Sequence, residues 1–219
     1  FLHADTLRSF NDTTSRILQA YHDVRFFRNT SQGVCDSLEY IVSDSVLYMM
    51  KQPVLWNENY QITGDTIKIF MNDSTVEWAH IPAEAFAVQH KDSVWYDQLS
   101  GKELKAFFRD GQLYKVDVSG NVRTIFYPEE RDSTLIGLNR AESSFLTMYL
   151  HDQKMEKLIM WPAVQGVLTP MFQIQPELLY LPDFQWLDEI RPRDKQDIFR
   201  KTERKPSPVD ERRQRRQYR

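Results

Sequence analysis

An all-β fold made of repeated antiparallel hairpins is what this sequence predicts, on three observations. Stretches of the chain match one another at fixed offsets, their apolar residues recur at every second position, and turn residues separate the alternating runs. Residues 62–89 lie over residues 99–126 at an offset of 37, which brings Gly64 onto Gly101 and Asp73 onto Asp110. The apolar positions then coincide: Ile67 with Leu104, Ile69 with Ala106, Met71 with Phe108, Val76 with Leu113, Ala79 with Val116, Ile81 with Val118 and Ala85 with Val122. A third copy, residues 141–168, fits at a further offset of 42 and contributes Leu146, Met148, Leu150, Met155, Leu158, Met160 and Val164.

Each copy reads as two strands around a turn. In TIKIFM the residues Ile67, Ile69 and Met71 fall on one face, and in LKAFF so do Leu104, Ala106 and Phe108; a period of two excludes a helix. Asp73, Asp110-Gly111 and Asp152 stand where the chain must reverse, and a turn accounts for each without a catalytic role. Gly64 and Gly101 give way to Ser143 in the third copy, and Gly120 to Ala83 in the first and to Pro162, beside Ala163, in the third, so turns there are expected to differ. Near the start, LQAYHDVRFF matches the second half of a unit, with Asp23-Val24-Arg25 parallel to Asn121-Val122-Arg123, so the chain opens inside a repeat. DSLEY (36–40), DSVLY (44–48) and DSVWY (92–96) read as edge or return strands. Three segments follow: a repetitive domain over 1–170, an irregular cap over 171–198 and a basic, flexible tail over 199–219. The cap contains Pro176, Pro182 and Pro192 and is expected to cover a sheet edge, with a short helix.

The totals fit a globular chain, because 41% hydrophobic and 13% aromatic residues suffice for a core. The net charge of −3 conceals an uneven distribution: residues 191–219 hold 12 Lys and Arg against 5 Asp and Glu, leaving −10 on residues 1–190. A basic tail alone supports contact with anionic headgroups or a partner, or simple solvation, and nothing near it points to nucleic acid. Cys35 is the single cysteine, which excludes an intrachain disulfide and a cysteine metal site. The sequence has no apolar run of spanning length, and it begins at Phe1 with neither Met nor a signal-peptide pattern; a soluble, mature or trimmed product is expected.

Catalytic signatures are missing from the sequence. His3, His22, His80, His90 and His151 are scattered without metal-ligand spacing, seven glycines form no phosphate-binding loop, and no GxSxG occurs. No catalytic residue, metal ligand or cofactor is therefore expected. Cys35 reads as a small buried hydrophobe, and the NxS/T matches at Asn11, Asn29 and Asn72 as chance. The apolar face remains as the candidate site: Ile67, Ile69, Ile81, Leu104, Ala106, Phe108, Val116, Val118, Leu146, Met148, Leu150 and Met160. From alternation alone this face is either a filled core or an apolar groove.

ITGDTIKIF, LSGKELKAFFRDGQLYKVDVSGNVRTIFYP and GVCDSLEY resemble the OstA-like family, relatives of lipopolysaccharide transport protein A (LptA). The likeness covers about residues 4–170 and is nearest to the longer versions from Bacteroidetes-type bacteria; residues 171–219 match no part of the short members. The resemblance implies an open-ended β-jellyroll slab in the periplasm that carries the acyl chains of lipopolysaccharide in its interior. It also implies other Lpt-type transport proteins as partners, and end-to-end self-association through edge strands. On this reading Ile67, Leu104 and Leu146 form one apolar row and Ile81, Val118 and Met160 another. The alternative is a non-catalytic β-repeat scaffold with a dry core. A carbohydrate-processing enzyme is a weaker third, since Glu77, Glu84, Glu103, Glu142 and Glu156 do not align between units.

Overall fold

The computed structural model describes residues 1–12, 16–72, 75–130, 132, 134–152 and 154–201. Asp73 and residues 202–219, most of the expected tail, lie outside the described residues. Among the described residues the strands are β1 (Leu2–His3), β2 (Thr6–Asn11), β3 (Arg16–Arg28), β4 (Ser31–Ile41), β5 (Val46–Met50), β6 (Val54–Asn57), β7 (Tyr60–Thr63) and β8 (Thr66–Asn72), followed by β9 (Thr75–Ile81), β10 (Ala85–Asp92), β11 (Trp95–Gly101), β12 (Glu103–Arg109), β13 (Gln112–Phe126), β14 (Gly137–His151), β15 (Lys154–Trp161) and β16 (Gln165–Pro170). All of their pairings are antiparallel.

The single sheet is folded over into two leaves, because its longest strands bend and pair differently at their two ends. Ser37–Ile41 of β4 pair with β5, whereas Ser31–Val34 pair with β6. Likewise Gln112–Ser119 of β13 pair with β12 and Arg123–Ile125 with β11. Leaf I runs β2-β3-β4-β5-β8-β9-β12-β13-β14-β15, and leaf II runs β1-β3-β4-β6-β7-β10-β11-β13-β14-β16. DSLEY, DSVLY and DSVWY contribute to interior strands of these leaves, not to edges, since β4, β5 and β11 each have neighbours on both sides.

Every crossing from leaf to leaf lies on the same side of the molecule, and the crossings share a backbone device. His22-Asp23, Lys51-Gln52, Glu84, Gly120-Asn121 and Ala163 all have positive φ, between 48° and 79°. In β3 and β13 these residues coincide with register shifts between Tyr21 and Val24 and between Ser119 and Val122, so the matching Asp-Val-Arg and Asn-Val-Arg mark equivalent bends. The third copy turns at Ala163, whose φ of 53° matches 55° at Glu84 and 51° at Asn121 in the equivalent places, so the expected difference in the turn is not seen there. Asp36, at one crossing, bonds Lys51, Ser37 and His22. Burial alone would raise its carboxyl; these three bonds pull it down to about 2.

Glycine at 64 and 101 follows from the tightness of this closed side. A Cβ on Gly64 would sit 2.3 Å from Ile81 Cγ2, and one on Gly101 would sit 2.4 Å from Val118 Cγ1. Gly101→Ala is expected to cost about 1–3 kcal/mol through forced displacement of Val118, measured as a lowered urea midpoint at unchanged slope. On the opposite side are the hairpin tips. There Asp110 and Gly111, at φ 53° and 78°, form the tight turn that Asp-Gly favours, and Asp152 also has positive φ.

Residues 171–201 cross the outer face of leaf II as a strap. This differs from the expected edge cap with a helix. Its regular structure is four isolated 3-10 turns (Met171–Gln173, Pro176–Leu178, Asp188–Ile190, Asp197–Phe199), because prolines interrupt the chain and leaf II presents an apolar outer face that needs cover. Leu181 packs with Phe86, Val88, Ile125, Tyr127 and Leu138, and Ile190 with Val34, Val54 and Trp56. The strap ends where Phe199 meets the His3 ring of β1, 5.0 Å away.

Two glutamines fasten the strap in the same way. Gln61 donates to the Gln185 carbonyl at 2.8 Å and accepts from the Leu187 N–H at 2.7 Å. Gln98, at the equivalent place one repeat later, donates to the Leu179 carbonyl at 2.7 Å and accepts from the Leu181 N–H at 2.8 Å. Each side-chain amide thus serves an extended residue of the strap as a neighbouring strand would. Arg191 adds bonds to Gln32 Oε1 and the Glu58 carbonyl, and Arg25 donates to the Ile190 carbonyl.

Candidate functional site: the apolar interior between the leaves

The inner face of leaf I is a set of cross-strand rows, and its register corrects the two rows expected from the repeat alignment. Ile67, Ile81, Leu104, Val118, Leu146 and Met160 lie in one row, not two: Leu104 is opposite both Ile81 and Val118, Val118 opposite Leu146, and Leu146 opposite Met160. The physical reason is that a hairpin's two strands place matching residues side by side, so alignment between repeats and adjacency within a hairpin describe the same row. Toward β2 the row continues through Met49, Leu38 and Ala20 to Leu7.

The second row, one pleat nearer the tips, runs Leu18, Tyr40, Leu47, Ile69, Ala79, Ala106, Val116, Met148 and Leu158. A third consists of the pairs Met71 with Val76, Phe108 with Leu113 and Leu150 with Met155. All twelve sequence candidates therefore share the inner face of leaf I and one apolar cluster.

Leaf II supplies the opposite wall, which the candidate residues did not include. Its row is Phe26, Gly33, Leu55, Ile62, Ala87, Leu99, Thr124 and Ala141. Phe26, Leu55, Ile62, Ala87 and Leu99 pack against the same cluster as Ile67 and Leu104. The sequence did carry a signal for this wall, since Ile62 and Leu99 occupy equivalent places at the repeat offset of 37.

Burial is graded from the closed side to the tips. From Ala20 to Leu146 the first row is sealed, with Ile67 and Ile81 at 0% exposure and Leu104 at 2%, and Val24, Ala85 and Val122 close it from the bends; its ends, Leu7 and Met160, are exposed and half-buried. Ile69, Ala79, Ala106 and Val116 remain buried, as does Leu150 of the third row, whereas Met148 and, in the third row, Met71, Val76, Phe108 and Leu113 are half-buried. The interior is thus a largely apolar surface, buried along the bends and in part half-buried toward the hairpin tips.

Near the tips of leaf II stands a charged group. Asp97 Oδ1 accepts the Tyr127 N–H at 2.9 Å; Lys91 is 3.6 Å from Asp97 and also pairs with Glu129. Burial pushes the Asp97 carboxyl up to about 6, against the opposing pull of the Tyr127 N–H and Lys91. A carboxyl raised from its ordinary 3.8 favours the fold when protonated, so this contribution is fully present below pH 4 and is lost as pH rises through about 6. A loss of about 2–3 kcal/mol is expected over that interval, and Asp97→Asn should flatten it when urea midpoints are compared from pH 4 to 7.5.

A separate depression of about 350 Å³ lies on the outer face of leaf I, beside Glu103, Lys105, Lys115, Asp117 and Trp161. Its charges are engaged with one another: Glu103 with Lys105 and His80, and Asp117 with Lys115 and Thr147. Among the described residues no group of three or more His, Cys, Asp or Glu side chains could hold a metal ion. Cys35 is buried in the inter-leaf cluster.

Fold and site together define a class: an all-β slab whose two antiparallel leaves are joined along one side and enclose an apolar interior. No protein-family model matches the chain, and no curated protein sequence matches it. Among solved structures the chain is similar to LptH of Pseudomonas aeruginosa, described as the LptA homologous periplasmic component of the conserved lipopolysaccharide transport device. The likeness covers 64% of this chain and 95% of that one, at 14% identity and a TM-score of 0.49. A likeness of that size assigns no function.

Proposed function

We propose that this protein carries lipid, holding acyl chains between its leaves, and that its cargo is lipopolysaccharide moving through the periplasm. The observation that supports this reading is the graded interior: apolar rows cross leaf I and face a largely apolar wall of leaf II, with half-buried Met71, Phe108, Leu113 and Met148 toward the tips. Each acyl methylene brought into water costs about 0.8 kcal/mol, or on the order of 10 kcal/mol for a chain of roughly a dozen. A carrier must replace the bilayer along the whole chain, and repetition of one hairpin provides that length. The OstA-like resemblance of the repeats supplies the lipid's identity. Handover between sites of similar depth needs no catalyst.

The edge strands suit passage from copy to copy or to related transport proteins. β2 and β15 bound leaf I, and their neighbourhoods expose Leu7, Phe10, Leu158, Ile159 and Trp161. Strand addition there would prolong the rows from one molecule into the next.

The rival is a scaffold with a permanently filled core, favoured by the sealed first row. Organic extraction of the purified protein followed by mass spectrometry, and photoreactive residues at Leu104, Val118 and Met148, distinguish the two. A carrier yields bound lipid and crosslinks to lipopolysaccharide from these inward positions but not from Lys105 or Lys115. Absence of both lipid and inward crosslinks would establish the scaffold.

A further inference from the structure

The two lips of the slot differ in chemistry. On leaf I the residues nearest the tips are apolar: Met71, Val76, Phe108, Leu113 and Leu150. On leaf II the row beyond Leu55, Ile62, Ala87 and Leu99 is Asn57, Tyr60, Gln89 and Asp97, in one continuous cross-strand register. Side chains two residues apart on a strand share a face, so this polar row faces the same way as the apolar wall, toward the slot. The odd partners between them, Gln61 and Gln98, face outward and hold the strap.

The charged members of this lip are already engaged. Lys91 is held between Asp97 and Glu129, and Asp97 also receives the Tyr127 N–H. Among the described residues the side-chain amides of Asn57 and Gln89 have no hydrogen-bond partner, and Gln89 is half-buried. A half-buried amide with open donor and acceptor positions is suited to a polar ligand that offers both.

We propose that this lip binds the head of the amphiphile whose tails fill the slot, through uncharged hydroxyl and amide groups such as those of a saccharide. The proposal rests on the carrier reading above. An anionic head placed here would meet Asp97 and Glu129 with one shared lysine between them. A quaternary ammonium would find both carboxylates occupied and could return nothing to the Asn57 and Gln89 donors. A sugar ring supplies donors and acceptors together, and any phosphate it carried would point away from the lip. With this polar row on leaf II and apolar Met71, Phe108 and Leu113 at the hairpin tips of leaf I, the head is held to one side and the cargo lies in the slot in a single orientation.

The test uses three amphiphiles with the same dodecyl chain, each below its micelle concentration: dodecyl maltoside, dodecyl phosphate and dodecyltrimethylammonium. Calorimetric titration compares the intact chain with an Asn57→Ala/Gln89→Met variant, whose substitutions lie at the tips. The intact chain should bind the maltoside about tenfold or more tightly than either charged probe, and the variant should lose that preference while binding the charged probes as before. In the intact chain, NMR signals of the Asn57 and Gln89 side-chain NH2 groups should shift with maltoside and not with the ammonium probe, a readout independent of the variant's folding. Equal binding of all three probes, a preference for a charged head, or unmoved amide signals would overturn the lip while leaving the slot intact. No binding of any probe would overturn the slot itself, and the lip with it.

Discussion

Replacing Gln61 and Gln98 together by alanine should destabilise the protein by about 3–6 kcal/mol and free the strap. Gln61→Ala leaves the Gln185 carbonyl, the Leu187 N–H and the indole N–H of fully buried Trp56 without their partner; Gln98→Ala strands the Leu179 carbonyl and the Leu181 N–H. Unpaired buried polar groups cost about 1–3 kcal/mol each, less where water reaches them. The two glutamines lie on β7 and β11, separated by β10 and so by about 10 Å, and their effects should add. Against a total stability of about 5–15 kcal/mol this is a large fraction. Urea unfolding measures the sum, and hydrogen exchange at the Leu181 and Leu187 amides shows whether the strap has lifted. A combined effect below about 1 kcal/mol would mean that apolar packing alone holds it.

The second large effect is expected at Leu104, which sits in the first row between Ile81 and Val118. Leu104→Ala removes a side chain that is 2% exposed and should cost about 2–5 kcal/mol in the lipid-free protein. The carrier reading adds a condition. An acyl chain lying along the row can occupy the space left behind, so the variant should gain more from saturating lipopolysaccharide than the unaltered chain does. The deficit should shrink by at least about 1 kcal/mol when both are measured with lipid. An unchanged deficit would place the lipid elsewhere.

The strands and hairpin tips were legible because their causes are local. Alternation at Ile67, Ile69 and Met71 and the Asp110-Gly111 turn depend on neighbours in sequence, as does the equivalence of Asp23-Val24-Arg25 with Asn121-Val122-Arg123. The inner face of leaf I was legible for the same reason. The folding-over of the sheet was not, since it depends on positive φ at residues as varied as His22, Lys51, Glu84 and Ala163, which no residue preference announces. Nor was the outer face of leaf II. Val34, Val54, Trp56 and Val88 are apolar on the side opposite the slot, so their strands lack a clean polar face. The strap explains this, yet it follows 170 residues of repeats and bears no resemblance to them. One sign was available: Gln61 and Gln98 stand at the same position of successive units, where an outward-facing residue is otherwise free to vary. A repeated outward amide points to something fastened there.

A lipid carrier of this kind must hold hydrocarbon between its leaves, and methyl NMR tests that directly. With the Ile, Met and Val methyl groups labelled and acyl-labelled lipopolysaccharide bound, intermolecular nuclear Overhauser effects should join the acyl chains to Ile69, Met71, Val116 and Met148 on leaf I and to Ile62 on leaf II. Val88, under the strap, and Ile159, on the outer face of leaf I, should show none. Contacts confined to Ile159 or other outward methyl groups, with the inter-leaf signals unmoved, would contradict a slot that carries lipid.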